Sequence, residues 1–99
     1  MNIEDWRKEI DQVDMELLEL LNKRARLAIE VGALKEVAGL PLSDPERERM
    51  VLQRLQQANA GPLDAPAVAR IFRHVIRESR RVEALGKHAF QSQSHEVRP

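Results

Sequence analysis

The chain has 99 residues, enough for one domain, with no cysteine, 32% charged residues and a formal net charge of zero. That balance argues against a nucleic-acid or anionic-membrane binder, which carries a basic excess, and the lack of cysteine removes disulfide and thiolate chemistry. No apolar run approaches the ~20 residues of a membrane span, and the polar, acidic start (Asn2, Glu4, Asp5) is unlike a signal peptide, so a soluble cytoplasmic protein is expected.

The first element is a helix over residues 3–38. Apolar residues fall at Ile3, Trp6, Ile10, Val13, Leu17 and Leu20, and resume at Leu27, Val31, Leu34 and Ala38. The alternating steps of three and four are the a/d spacing of a helix packed along its whole length. Position 24 breaks the series with Arg24, and a flanking stripe of small and apolar residues that includes Gly32 ends in Lys35. Eleven residues separate these two cations, so they share a face about 16 Å apart. A buried cation needs an anion. Thirty-six helical residues span about 54 Å, whereas a compact chain of this length has a radius of gyration of only ~13 Å. The helix must overhang its own chain, and the overhanging seam predicts a homodimer or larger assembly. Gly39 suits the position after the helix end, and Pro41 prevents continuation.

The second helix is expected from about Pro45 to Ala58, with Val51, Leu55 and Ala58 on one face. Ser43 with Glu46 fits a capping box, and Asp44 before Pro45 fits an N-cap; both starts are consistent with the sequence. Asn59-Ala60-Gly61-Pro62 ends this helix. The third helix starts at Asp64, with Pro66 tolerated in its first turn and an apolar face of Val68, Ile71, Phe72, Val75 and Ile76. That line continues into Ser79 and Glu83, which are stacked neighbours one turn apart. The helix is expected to fade near Leu85-Gly86, giving a helical domain over 1–86 and a flexible tail over 87–99. No strand signal or internal repeat appears, so the fold class is all-α with three helices.

Three irregularities call for one explanation: Arg24 and Lys35 on the first helix, the cluster Asp44, Arg47 and Glu48 at the start of the second, and Ser79 and Glu83 on the inner line of the third. Each has an ordinary reading by itself. Arg24 can snorkel, Asp44 can be only a cap, Arg47 and Glu48 can be a solvated face, and Ser79 can merely allow close packing. Together they describe a pocket with cations, a hydroxyl and carboxyls, without a nucleophile–base pair or a metal set. Such a pocket suits a small polyanion, with any catalysis electrostatic.

These residues resemble the all-α chorismate mutases of the small dimeric bacterial class, up to about Leu85. The resemblance rests on Trp6-Arg7-Lys8-Glu9-Ile10-Asp11, on Leu20-Leu21-Asn22-Lys23-Arg24-Ala25, on Val31-Gly32 followed by Lys35, on Asp44-Pro45-Glu46-Arg47-Glu48 and on Ile71-Phe72-Arg73. The connection Asn59 to Leu63 is also similar to that of mutase domains fused to prephenate dehydratase or to the first enzyme of the shikimate pathway. The resemblance implies an intertwined homodimer in which the long first helices cross. It also implies rearrangement of chorismate to prephenate, in phenylalanine and tyrosine biosynthesis, without a cofactor or a metal.

The resemblance further assigns roles. Arg7, about 25 Å along the helix from Arg24, serves the partner's site. Arg24 and Lys35 clamp the substrate carboxylates, and Lys35 donates to the ether oxygen. Glu48, with Asp44, accepts from the ring hydroxyl, Arg47 orients these carboxylates, and Ser79 binds a carboxylate oxygen. Glu83 stands where the best-known bacterial pattern has glutamine. Ionised, it would repel the developing oxyanion; protonated, it would donate to it, so a protonated Glu83 is the expectation for the working enzyme. Two alternatives compete: isochorismate pyruvate-lyase on the same scaffold, and a helical dimerisation module without chemistry.

Overall fold

The computed structural model describes the backbone of residues 1–96 and the side chains of residues 1–86. Three helices follow one another: α1 (Ile3–Ala38), α2 (Pro45–Ala58) and α3 (Ala65–Glu96). Among the described residues there is no strand, and no helix is long and apolar enough to cross a membrane.

The helix ends follow from local chemistry. Asn2 caps α1 by accepting from the Asp5 N–H at 2.9 Å, and Asp5 returns the bond to the Asn2 N–H at 3.0 Å, a reciprocal capping box. At the other end Gly39 adopts a left-handed conformation (φ 68°). Its N–H donates to the Glu36 carbonyl at 3.2 Å and that of Leu40 to the Lys35 carbonyl at 2.9 Å, the Schellman arrangement. The start of α2, which the sequence leaves open, is set by Asp44: its Oδ1 accepts from the Arg47 N–H at 3.1 Å and Pro45 opens the helix. Asp64 caps α3 through the Ala67 N–H at 2.8 Å. Between them Asn59 braces the connection, donating to the Leu63 carbonyl at 2.6 Å and accepting from the Gly61 N–H at 3.2 Å.

Both other helices pack on α3, and α1 and α2 do not pack on each other. Two glycines set how closely α1 approaches α3. A Cβ built on Gly32 would lie 2.1 Å from the carbonyl oxygen of Glu83, and one built on Gly86 would lie 2.4 Å from that of Ile29. The helices therefore touch backbone to backbone at these two points. Gly86 is thus a packing residue. The sequence suggests a helix fading at Leu85-Gly86, but α3 runs on to Glu96, because a single glycine costs a helix only ~1 kcal/mol and no proline follows before Pro99. Residues 97–99 of the expected tail lie outside the described residues.

The chain is elongated, 63 × 30 × 15 Å with a radius of gyration of 17.6 Å. Its buried apolar core is small: Val68 and Ala69 are buried, and Phe72, Val75 and Ile76 half-buried. Ile71, expected on the same face, is 47% exposed, since α1 and α2 cover only part of α3. The seam of α1 is uncovered from Ile3 through Leu20; Trp6 is 56% exposed and Leu20 62%.

Candidate functional site

Where α1, α2 and α3 come together, a cavity of about 300 Å³ opens. Helix α1 contributes Arg24, Leu27, Ala28, Val31 and Lys35, which recur at helical spacing and so share a face. The connection supplies Leu42, the first turn of α2 supplies Asp44, Arg47 and Glu48, with Val51 one turn on, and α3 supplies Ile76, Ser79, Arg80 and Glu83. Thus seven of the eight residues singled out in the sequence line one cavity. The eighth, Arg7, lies elsewhere. It is exposed near the start of α1, and its Nη1 pairs with Glu4 at 2.9 Å.

The polar groups are matched across the helices. The Arg24 guanidinium donates to the Ser79 hydroxyl, which is buried on α3. One turn further along α3, Glu83 meets Lys35, with Nζ 2.5 Å from Oε1 and both side chains largely buried. The Lys35 ammonium also donates to the Leu42 carbonyl at 3.0 Å. This second bond fixes the ammonium between the α1–α2 connection and α3. Glu83 Oε1 is buried, and its contact with the Lys35 ammonium is a charge contact without aligned hydrogen-bond geometry. Asp44 is committed in part to its cap.

Arg80 is the residue that sequence reasoning misses. It ion-pairs through Nη2 with Glu48 Oε1, joining α3 to α2. In the sequence it is one arginine of the run Arg77-Glu78-Ser79-Arg80-Arg81, and only its place four residues after Ile76, on the line toward α2, could have marked it. The Leu42 carbonyl is missed too, since a backbone acceptor leaves no sequence signal.

The cavity carries four cations, Arg24, Lys35, Arg47 and Arg80, against three carboxyls, Asp44, Glu48 and Glu83. Lys35 and Arg80 have carboxylate partners, whereas Arg24 is held by a neutral hydroxyl. Its positive charge therefore remains available inside a partly desolvated space, where it attracts an anion more strongly than in bulk water. The apolar walls, Leu27, Val31, Val51 and Ile76, suit the carbon frame of a small organic anion. Among the described residues, no three His, Asp or Glu side chains converge as a metal-binding group would require. Outside the cavity, on the exposed side of α2, Arg49 donates to Glu46 and by that hydrogen bond holds its carboxyl below the usual carboxylate range.

Comparison with known proteins places this geometry. The family model for chorismate mutase type II matches residues 6–84. The bifunctional chorismate mutase/prephenate dehydratase of Neisseria gonorrhoeae is 47% identical over 77 residues, 78% of this chain and 21% of that protein. The protein of the same description from Aquifex aeolicus is 40% identical over 78 residues, 75% of this chain and 22% of that one. The chain thus aligns with about a fifth of the length of these relatives. Among solved structures, chorismate mutase (form II) from Thermus thermophilus superposes with a TM-score of 0.81 at 38% identity, covering 82% of this chain and 92% of that one. Chorismate mutase from Helicobacter pylori in complex with prephenate gives 0.78 at 31% identity, covering 85% and 91%. With the family match spanning all three helices and every wall of the cavity, the chain belongs to the chorismate mutase type II family.

Proposed function

We propose that this chain rearranges chorismate to prephenate, and that it does so as a homodimer. The observation that carries the reading is the cavity itself: Arg24, Lys35 and Glu83 converge from α1 and α3 on a partly apolar space with Glu48 on the opposite wall. Chorismate carries two carboxylates, an ether bridge and a ring hydroxyl. The rearrangement is pericyclic, so it requires no nucleophile. The enzyme has to hold the compact, reactive conformer and to stabilise the charge that develops on the ether oxygen as its C–O bond breaks.

Arg24, with Ser79 beside it, takes one carboxylate. Lys35 donates to the ether oxygen, where its interaction strengthens in the transition state. Glu83 stands beside it, in contact with Lys35 through Oε1, and a protonated Glu83 would donate to the ether oxygen as well. Glu48 accepts from the ring hydroxyl, with Asp44 near it. Arg47, exposed at the rim, adds positive charge at the entrance.

The second carboxylate is served by Arg7 from the other chain. Within its own chain Arg7 lies about 25 Å along α1 from Arg24 and is 67% exposed in its side chain. Dimerisation is supported by the seam from Ile3 to Leu20, whose six apolar members are all more than half exposed in the single chain. A stripe that long is not left in water by a stable protein. The test is to give the purified chain chorismate and to assay for prephenate. Prephenate formation is expected; a folded protein that makes none overturns the reading, and salicylate plus pyruvate from isochorismate would move it to the lyase.

A further inference from the structure

Glu48 lies on a partition. It lines the catalytic cavity and also a second cavity of about 410 Å³ on the other side of the α2–α3 contact. That second space is bordered by Arg49, Arg73, Arg77 and Arg80, with Glu48 the one carboxylate of its wall. Arg49 is engaged by Glu46. Arg73 and Arg77, one turn apart on α3, are exposed cations that face the same space. The Glu48 side chain therefore has two places to go, toward the substrate cavity or toward Arg73 and Arg77 behind it, and Arg80 stands on the partition, lining both cavities. A flexible carboxylate distributes itself between such choices unless something holds it.

We infer that Arg80 is the positioning residue that holds Glu48 toward the substrate's ring hydroxyl, an inference that rests on the mutase reading above. Arg80 is half-buried, and its Nη2 engages Oε1 of Glu48, which leaves Oε2 to accept from a ligand. A charge-assisted contact from a planar guanidinium fixes direction as well as charge. The role expected of Arg47 thereby passes to Arg80. Arg47 follows Asp44 on the same turn and donates its backbone N–H to it, and its side chain is exposed at the cavity rim. Arg80 comes from α3, between Ser79, which holds Arg24, and Glu83, which meets Lys35. One stretch of α3 thus organises all three contacts, and only Arg80 reaches across to α2.

A double-mutant cycle with Glu48 tests this. Arg80→Gln is expected to lower kcat/KM by about tenfold or more, the size of one charge-assisted hydrogen bond, with Arg80→Lys recovering part of the loss. In a Glu48→Gln background, Arg80→Gln should cost nothing further. With a chorismate analogue lacking the ring hydroxyl, the Arg80→Gln penalty should vanish, a result that a merely structural role would not give. Circular dichroism and thermal melts check folding, and Arg80→Lys carries the same cycle where Arg80→Gln fails to fold. Losses that multiply in the double mutant, a penalty that persists with the analogue, or an unchanged kcat/KM in Arg80→Gln would each overturn the proposal while leaving the mutase reading intact. A folded wild-type chain without mutase activity would overturn both.

Discussion

Replacing Gly32 by alanine tests whether the close approach of α1 to α3 sets the catalytic geometry. The new Cβ would stand 2.1 Å from the Glu83 carbonyl oxygen, 2.9 Å from its carbonyl carbon and 3.1 Å from its Cγ. Ordinary contact begins at 3.4 Å, so the helices have to part by roughly 1.3 Å at this point. The two nearest struck atoms belong to the backbone of Glu83, and a rotamer change cannot relieve them. Lys35 sits one turn along α1 from Gly32, so the parting is felt where Nζ and Oε1 stand 2.5 Å apart.

Two effects on stability oppose each other. Alanine gains ~1 kcal/mol over glycine in a helix interior, and the overpacking costs ~1–3 kcal/mol. The net loss is then about 0–2 kcal/mol, small enough for the fold to persist. Activity has no such compensation, since a misplacement of about 1 Å can cost ~100-fold. The expected result for Gly32→Ala is a kcat/KM lowered by about two orders of magnitude with a melting temperature lowered by no more than about 15 °C. Prephenate formation under initial-rate conditions and a thermal melt measure the two quantities. A variant that keeps kcat/KM within about threefold, less than the ~1 kcal/mol of one hydrogen bond, would refute the reasoning.

Gly39→Ala is the contrasting case: φ is +68° but nothing lies within 4 Å of the added Cβ, so it should lose ~1 kcal/mol of stability in a denaturant titration and keep its activity. Arg24→Ala should remain folded while kcat/KM drops by orders of magnitude, which separates an enzyme from a dimerisation module that would lose nothing else. If Arg7 acts across the dimer, mixing inactive Arg7→Ala and Arg24→Ala chains should restore about a quarter of wild-type activity, because half of randomly mixed dimers are hetero and each has one intact site. Mixtures as inactive as their components would place Arg7 in its own chain's site. If Glu83 donates to the ether oxygen, Glu83→Gln, which keeps a donor there, should retain activity, and a loss by orders of magnitude in the variant counts against it.

Much of the site is legible without coordinates because each of its residues breaks a pattern. Arg24 interrupts an apolar a/d series, Lys35 ends a small-residue stripe, and Ser79 and Glu83 continue an apolar line with polar groups. All four enter the cavity. Arg80 breaks nothing. It sits among other arginines, and its importance comes from Glu48, which only the packing of α2 on α3 brings to it. Gly86 misleads for a related reason. In a sequence, glycine near a helix end reads as a terminus, and here it is a contact with the Ile29 backbone in the middle of a 32-residue helix.

The sequence by itself determines the local structure: three helices, the cap at Asp64, the stop at Gly39 and Pro41, and a first helix too long for its own chain. These follow from backbone preferences and from the hydrophobic period, which act over a few residues. Tertiary structure decides what those preferences cannot reach. It pairs Arg24 with Ser79, 55 residues away, brings Lys35 to Glu83, and assigns Glu48 to Arg80. Each of these is a pairing between polar groups that meet only once the helices dock, and docking distance is set by two glycines whose absent side chains let the α1 and α3 backbones touch.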